Sequence, residues 1–451
     1  MRAGGSAAPG NGHVRSCARA YSQTVTSWDR LRGLDRNLAV IIAARVLMSA
    51  SRALAGVIAP VYLALIGFSA IDLGALALVV GVGSAVMAAA IGLASDRVGR
   101  KPFLVTVPLL AAAAGVAFAV TRSPLVLFAA AAVGSFGRGS GAGAGMVGPY
   151  QPAEQAFVTD IAPARERNTV FGRLAAASSL GALLGSPLAI LTGEHHQAGA
   201  AATADFRAAF IACALLAAAA GLLALALREA PRPAPAAGGE RPFRWPRRSM
   251  PLLMRLWVTN TFNGLAVGMF GPFVSYWFFV RFGVSAGEIG LLYAVINAVS
   301  IASTLGAARI AARWGLVRTV VLVRIAQALL LLPLVLAPTF LLAGAVYLLR
   351  MLVARIGMPL RQSYVLAMAD PEERASVGAL SNVPSQAAMA VAPVAAGYLF
   401  ETVSLSLPFV LGGVLQLVNA LLYWGLFHAM APEEELPAVP EPPPPQPDPD
   451  A

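Results

Sequence analysis

Lysine is almost missing from this chain: Lys101 is the only one among 451 residues, against 32 arginines. Charge of either sign is scarce, at 12% of residues, and cysteine comes down to Cys17 and Cys213. One lies in a polar stretch and the other inside an apolar run, so neither a disulfide framework nor a thiolate metal site is available. Four histidines, two of them adjacent at His195 and His196, leave no Ser/His/Asp or Cys/His constellation for an enzyme. Glu194-His195-His196 also lacks the ligand spacing of a zinc site. No Gly-Lys-Ser/Thr occurs, which removes a nucleotide-hydrolysing loop as an energy source. Gly143 to Gly148 match the dinucleotide fingerprint in letters only, because they sit in an apolar run with no βαβ unit around them. No cofactor and no metal are expected.

What is present is apolar: 58% of the residues, in recurring runs of about 20 or more. These runs do not alternate as barrel strands do, so the class is an all-α polytopic membrane protein. Twelve spans follow, at 38–61, 71–94, 103–121, 124–158, 169–192 and 207–227, then 252–279, 286–308, 319–337, 339–361, 377–399 and 405–428. Residues 1–37 lack an apolar core with a cleavage site and read as a disordered cytoplasmic tail. The stretch 228–251, with six arginines among prolines and glycines, is a flexible cytoplasmic linker between an N-terminal bundle, 38–227, and a C-terminal bundle, 252–428. The acidic, proline-rich residues 429–451 read as a second disordered tail.

A net charge of +11 does not indicate nucleic acid here, because the arginines cluster at the ends of apolar runs. The first tail and the connections on its side of the membrane carry 22 basic residues, and the opposite connections carry three: Arg122, Arg207 and Arg281. The positive-inside rule then places both termini in the cytoplasm. The excess of Arg over Lys, with abundant Ala and Gly, points to a GC-rich bacterial source and so to the inner membrane.

The halves repeat. A shift of 216 residues lays Gly67, Ser69, Ala70, Asp72 and Gly74 on Gly283, Ser285, Ala286, Glu288 and Gly290, and Arg97 and Gly99 on Arg313 and Gly315. A shift of 207 lays Pro152, Gln155, Glu166 and Arg167 on Pro359, Gln362, Glu373 and Arg374. Two six-helix bundles related by a pseudo-two-fold axis make a cavity that can open to either side.

The densest charge lies between spans two and three, in Gly92-Leu93-Ala94-Ser95-Asp96-Arg97-Val98-Gly99-Arg100-Lys101-Pro102. With twelve spans and the six-plus-six repeat, this stretch resembles the signature of the major facilitator superfamily, matched at Gly92, Asp96, Arg97, Gly99, Arg100 and Lys101. The second copy, around Arg313 and Gly315, has Ala312 where the aspartate would stand. Gly92 is expected to let two helices approach closely and Gly99 to allow the tight turn. The resemblance implies that Asp96 sits near a helix N-terminus of the opposite bundle. It further implies that Arg97 or Arg100 pairs with Glu154 or Asp160, forming a latch that closes the cytoplasmic side.

Ionisable groups at membrane depth are the remaining candidates. Arg45 and Arg52 are seven apart on span one and share a face. Arg138 resembles the superfamily's span-four arginine, which takes part in proton coupling in relatives, and Arg350 and Arg355 lie in span ten. Glu154 is the leading protonatable acid, with a structural pairing to Arg97 or Arg100 as the alternative. Arg173 and Arg324 read as snorkelling. Asn260, Asn263, Asn297, Gln155 and Gln362 either line a cavity or bond between helices. Gly181, Gly185 and Pro187 partly match the antiporter signature G-x-x-x-G-P, with Ser186 interrupting it, and mark a close-packed, kinkable point. The expected function is secondary active transport by alternating access: proton-coupled export of small organic compounds by a monomer in the lipid bilayer. The alternatives are an importer or exchanger of an organic anion using cavity arginines, and a non-transporting membrane sensor.

Overall fold

The computed structural model describes residues 12–136, 148–162, 166–193, 202–229, 245–304, 316–370 and 373–428, and leaves out the side chains of Asp96 and Arg97. The N-terminal half comprises α1 (Gly12–Leu65), α2 (Ala70–Val98), α3 (Lys101–Val120), α4 (Pro124–Gly134), α5 (Tyr150–Ile161), α6 (Arg167–Gly185) with a 3₁₀ extension (Ser186–Thr192), and α7 (Ala202–Ala224). The C-terminal half comprises α8 (Met250–Phe270), a 3₁₀ turn (Gly271–Phe273), α9 (Val274–Phe282), α10 (Ala286–Thr304), α11 (Leu316–Leu329) and α12 (Leu331–Leu336). It ends with α13 (Phe340–Met368), α14 (Arg374–Ser381), α15 (Val383–Thr402) and α16 (Leu407–Phe427). Nine helices among the described residues are long and apolar enough to cross a membrane.

Proline and glycine explain why some crossings are made of two pieces. Pro187 follows the end of α6, and the chain tightens there from α to 3₁₀ geometry, with the Ser186 hydroxyl donating to Ala182 O at 2.8 Å. The point expected to be kinkable is where the helix geometry changes. Gly271-Pro272 divides α8 from α9 in the same way. Span four, expected as one run over 124–158, is two helices: α4 stops at Ser135, which takes the left-handed region at φ 50°. The sequence beyond it, Gly137 to Gly148, is dense in the residue that favours a helix least after proline.

The repeat has a local cause. Ser69 N donates to Asp72 Oδ2 at 2.9 Å and Asp72 N donates back to Ser69 Oγ at 3.1 Å, a capping box that starts α2. At the matching positions Ser285 N donates to Glu288 Oε2 at 2.7 Å and Glu288 N to Ser285 Oγ at 3.3 Å, starting α10. Asp72 and Glu288 are thus helix caps as well as solvent-facing loop ends. The first tail departs from expectation: α1 begins at Gly12, inside the stretch expected to be disordered. No proline lies between Pro9 and Pro60. A helix already nucleated in the membrane extends outward with no new nucleation step. The linker 230–244 and the tail 429–451 lie outside the described residues.

The apolar cores show how the bundles meet. In the half of the molecule remote from the termini, one cluster joins both bundles, from Leu54, Tyr62, Phe118 and Phe210 to Trp277, Tyr293, Phe400 and Phe409. On the termini side each bundle has its own core: Ile41, Leu104, Phe157 and Leu174 in one, and Leu253, Val320, Val377 and Tyr423 in the other. The bundles are joined on the far side, where α2 packs on α15 and the 3₁₀ extension on α10. Glycines bring these backbones together, with Gly74 against Pro393, Gly397 against Ala70 and Gly290 against Ser186.

Candidate functional site

Two of the expected ionisable residues meet inside the N-terminal bundle. Arg45 of α1 lies about 14 Å along the crossing that begins at Arg36, and Glu154 lies two turns from the end of α5. Arg45 Nη1 stands 2.9 Å from Glu154 Oε2, and the two side chains are 7% and 0% exposed. Glu154 is the only buried carboxylate among the described residues. Apart from this ion pair, Glu154 Oε1, Arg45 Nε, the Tyr150 hydroxyl one turn before Glu154, and the hydroxyls of Ser49 and Ser178 have no hydrogen-bond partner among the described residues. A buried pair held by so few hydrogen bonds sits close to the point where desolvation cancels attraction. A proton on Glu154 removes the ionic part of this attraction.

The neighbouring residues frame this pair. Arg52 turns to the same side of α1 as expected, and its guanidinium lies against Gly148, just before α5. Gly181 and Gly185 of α6 bear on α1 at Val46 and Ala50, the turns between Arg45 and Arg52. The antiporter-like glycines are therefore the bearing surface of the helix that carries both arginines. Arg138 lies outside the described residues, as do Gly143 to Val147 and Glu194-His195-His196.

The charged stretch after α2 builds a separate network on the termini side. Arg100 Nε lies 3.0 Å from Asp160 Oδ2, one of the expected pairings, and those of Arg97 lie outside the described side chains. Glu154 is engaged with Arg45 rather than with Arg100 among the described side chains. Gly99 ends α2 at φ 101°, a conformation open to glycine, as the turn required. Gly92 differs from expectation: a Cβ there would meet nothing within 4 Å among the described residues, and the bundles have separate cores on this side. The side chains of Asp96 and Arg97 are outside the described set.

Glu229, read only as part of the linker, has a defined place. Its carboxylate accepts from Arg100 N at 2.9 Å and Lys101 N at 3.1 Å, closing the N-terminus of α3 where negative charge is favoured. Its signal in the sequence is its position as the first acid after span six. Glu373 does the same for α8, accepting from Ser249 N at 2.8 Å and Arg248 N at 3.2 Å. Desolvation works against the charge of Glu373, and the N–H groups of Ser249 and then Arg248 outweigh it, so this carboxyl titrates below its ordinary value of 4.5. A depressed folded-state value gives stability that is present above 4.5 and lost as the pH falls through the folded value. Glu373→Gln is therefore expected to melt below wild type at pH 7, with the gap closing in acid. Melts of detergent-solubilised protein from pH 7 downward check this, and a gap independent of pH contradicts it.

In the C-terminal bundle Arg350 is 3% exposed, and its guanidinium lies 4.4 Å from the centroid of the Phe270 ring. Its Nε has no hydrogen-bond partner among the described residues. Arg355, one turn on, is half-buried. Arg324, expected to snorkel, is 5% exposed and stacks on Tyr423 at 4.9 Å. It is a core residue. Asn260 bonds between helices, donating to Ser381 O at 2.6 Å.

The sequence model of the Major Facilitator Superfamily matches residues 41–352 and 256–449. The chain belongs to this superfamily. It is a transporter, with secondary transport as the class of its activity, and not an enzyme. Comparison with curated proteins finds no match. Among solved structures it is similar to the bacterial homologue of the human lysosomal transporter Spinster in an inward-facing conformation. The identity there is 16%, over 87% of this chain and 97% of that one, with a TM-score of 0.67. It is also similar to the D-xylose–proton symporter, at 17% identity over 89% and 98% and a TM-score of 0.67. The nucleoside transporter NupG matches at 14% over 87% and 99%, with a TM-score of 0.66. These likenesses concern the fold, an all-helical membrane protein of this superfamily.

Proposed function

We propose that this superfamily member is a proton-coupled exporter of small organic compounds, working as a monomer by alternating access in a bacterial inner membrane. The observation that carries the reading is the buried Arg45–Glu154 pair, 2.9 Å apart at membrane depth. The one buried acid among the described residues is a proton site by chemistry, and its partner is a permanent cation that responds to the acid's charge. Protonation of Glu154 frees Arg45 and lets α1 move over the glycines of α6, which couples the proton to bundle motion. The bias of basic residues toward the termini side supports a cytoplasmic location for both termini. The far side is then external, and the joined far-side core describes a state closed to the outside. The antiporter-like Gly181, Gly185 and Pro187 support outward transport.

Everted membrane vesicles test this reading. An imposed proton gradient is expected to drive uptake of labelled cationic or neutral organic compounds, and a protonophore to abolish it. Uptake indifferent to the gradient overturns the coupling. A second reading, transport of an organic anion, is favoured by Arg350, a buried cation with an unpartnered Nε in a bundle that has no buried carboxylate among its described residues. Flux restricted to labelled anions selects it.

A further inference from the structure

Pro60 lies inside α1 and carries no N–H, so the carbonyl four residues earlier, that of Gly56, is left without its helical donor. Both residues are buried. A carbonyl stripped of its partner in a membrane-embedded core costs free energy unless another group reaches it. The group that reaches it comes from the other bundle. Ser275 Oγ of α9 lies 3.2 Å from Gly56 O, and the Tyr293 hydroxyl of α10 lies 3.1 Å from Ser275 Oγ. Directions in this chain follow from chemistry. A carbonyl only accepts, so Ser275 donates to Gly56 and Tyr293 donates to Ser275. Ser275 is 1% exposed and Tyr293 0%, within the single apolar cluster that joins the two bundles.

We infer that Ser275 is a gating residue of the far side, holding the bundles together through the acceptor that Pro60 creates on α1. The bond exists only while α9 lies against α1. When the bundles part on that side, the Gly56 carbonyl loses its donor and the Ser275 hydroxyl its acceptor, so opening carries a defined cost at one point. The proline is the device: with an ordinary residue at position 60, the helix satisfies its own carbonyl in both states and the serine adds nothing specific. Elsewhere on the far-side seam, where α2 meets α15, Ile71 N donates to Glu401 Oε2 at 3.3 Å, so the contact between the bundles is polar there as well.

A double-mutant cycle on the full-length transporter in nanodiscs tests this. Spin labels at Ser123 and Ser404, exposed loop positions in opposite bundles, report the far-side separation. Cys17→Ser removes the thiol of the tail, and Cys213 is buried. Ser275→Ala is expected to raise the far-open to far-closed ratio about fivefold, the size of one net buried hydrogen bond. In the Pro60→Ala background the same change is expected to alter the ratio less than about twofold, because the carbonyl then has its helical donor. Equal shifts in both backgrounds overturn the inference and reduce Ser275 to a packing residue. Tyr293→Phe gives an independent arm should Pro60→Ala fold poorly. It is expected to shift the ratio in the same direction as Ser275→Ala and to add nothing to it, whereas full additivity overturns the chain.

Discussion

Gly185→Val is expected to leave almost no folded transporter. A Cβ at Gly185 would stand 2.5 Å from Ala50 Cα and 2.6 Å from its carbonyl carbon, against backbone rather than the end of a flexible side chain. Helices in a membrane associate through close packing and have little hydrophobic gain to offset a gap. Two valine methyls there must push α6 off α1, at a cost on the order of 3 kcal/mol or more. The same displacement moves the glycine bearing beneath Arg45 and Arg52, so any residual protein should also transport poorly. Gly172 on the same helix is the control, since a Cβ there would meet nothing within 4 Å. Gly172→Val should elute and melt as wild type does. Normal elution and melting of Gly185→Val would show that α1 and α6 are not in contact as described.

The second large effect is an asymmetry within the buried pair. Glu154→Leu strands the Arg45 guanidinium in the core, and an arginine cannot shed its proton to escape the penalty. Removing one member of a buried pair costs about 3–5 kcal/mol, and the full range applies here. Arg45→Leu strands a carboxylate, which neutralises itself by taking up a proton, so its loss should be smaller. The double replacement removes both charges and should recover most of the wild-type melting temperature. Thermal melts of the three variants decide this, and equal losses in the two single variants would mean that the pair is open to water.

Much of this fold was legible because membrane crossings are written in long apolar runs, and even the break at Pro187 could be placed. The repeat was legible for a reason that the capping boxes explain: Ser69 with Asp72, and Ser285 with Glu288, perform the same local chemistry at the same point of each half. Gly99 and the shared face of Arg45 and Arg52 were also readable, since a turn and a helical period are local properties. Partnerships between helices were not. Glu154 was a candidate for Arg97, Arg100 or a coupling role, and only the rotation of α5 against α1 assigns it to Arg45. Gly92 was misjudged for a related reason, because an approach between helices depends on which side the bundles close. Pro60 stood in the sequence with its missing N–H, but nothing local names Ser275, 215 positions later, as the replacement donor. The helix at 12–35 was missed because its composition is that of a polar tail, and its stability comes from the crossing it continues.

A ligand that raises the melting temperature of the purified protein supplies the substrate for the decisive measurement. Proteoliposomes holding a pH-sensitive dye are given a gradient of that ligand, and proton movement is followed for wild type and Glu154→Gln. Wild type should move protons with the ligand, while Glu154→Gln should still bind the ligand and move none. Undiminished proton movement in Glu154→Gln would contradict the assignment of Glu154 as the coupling group.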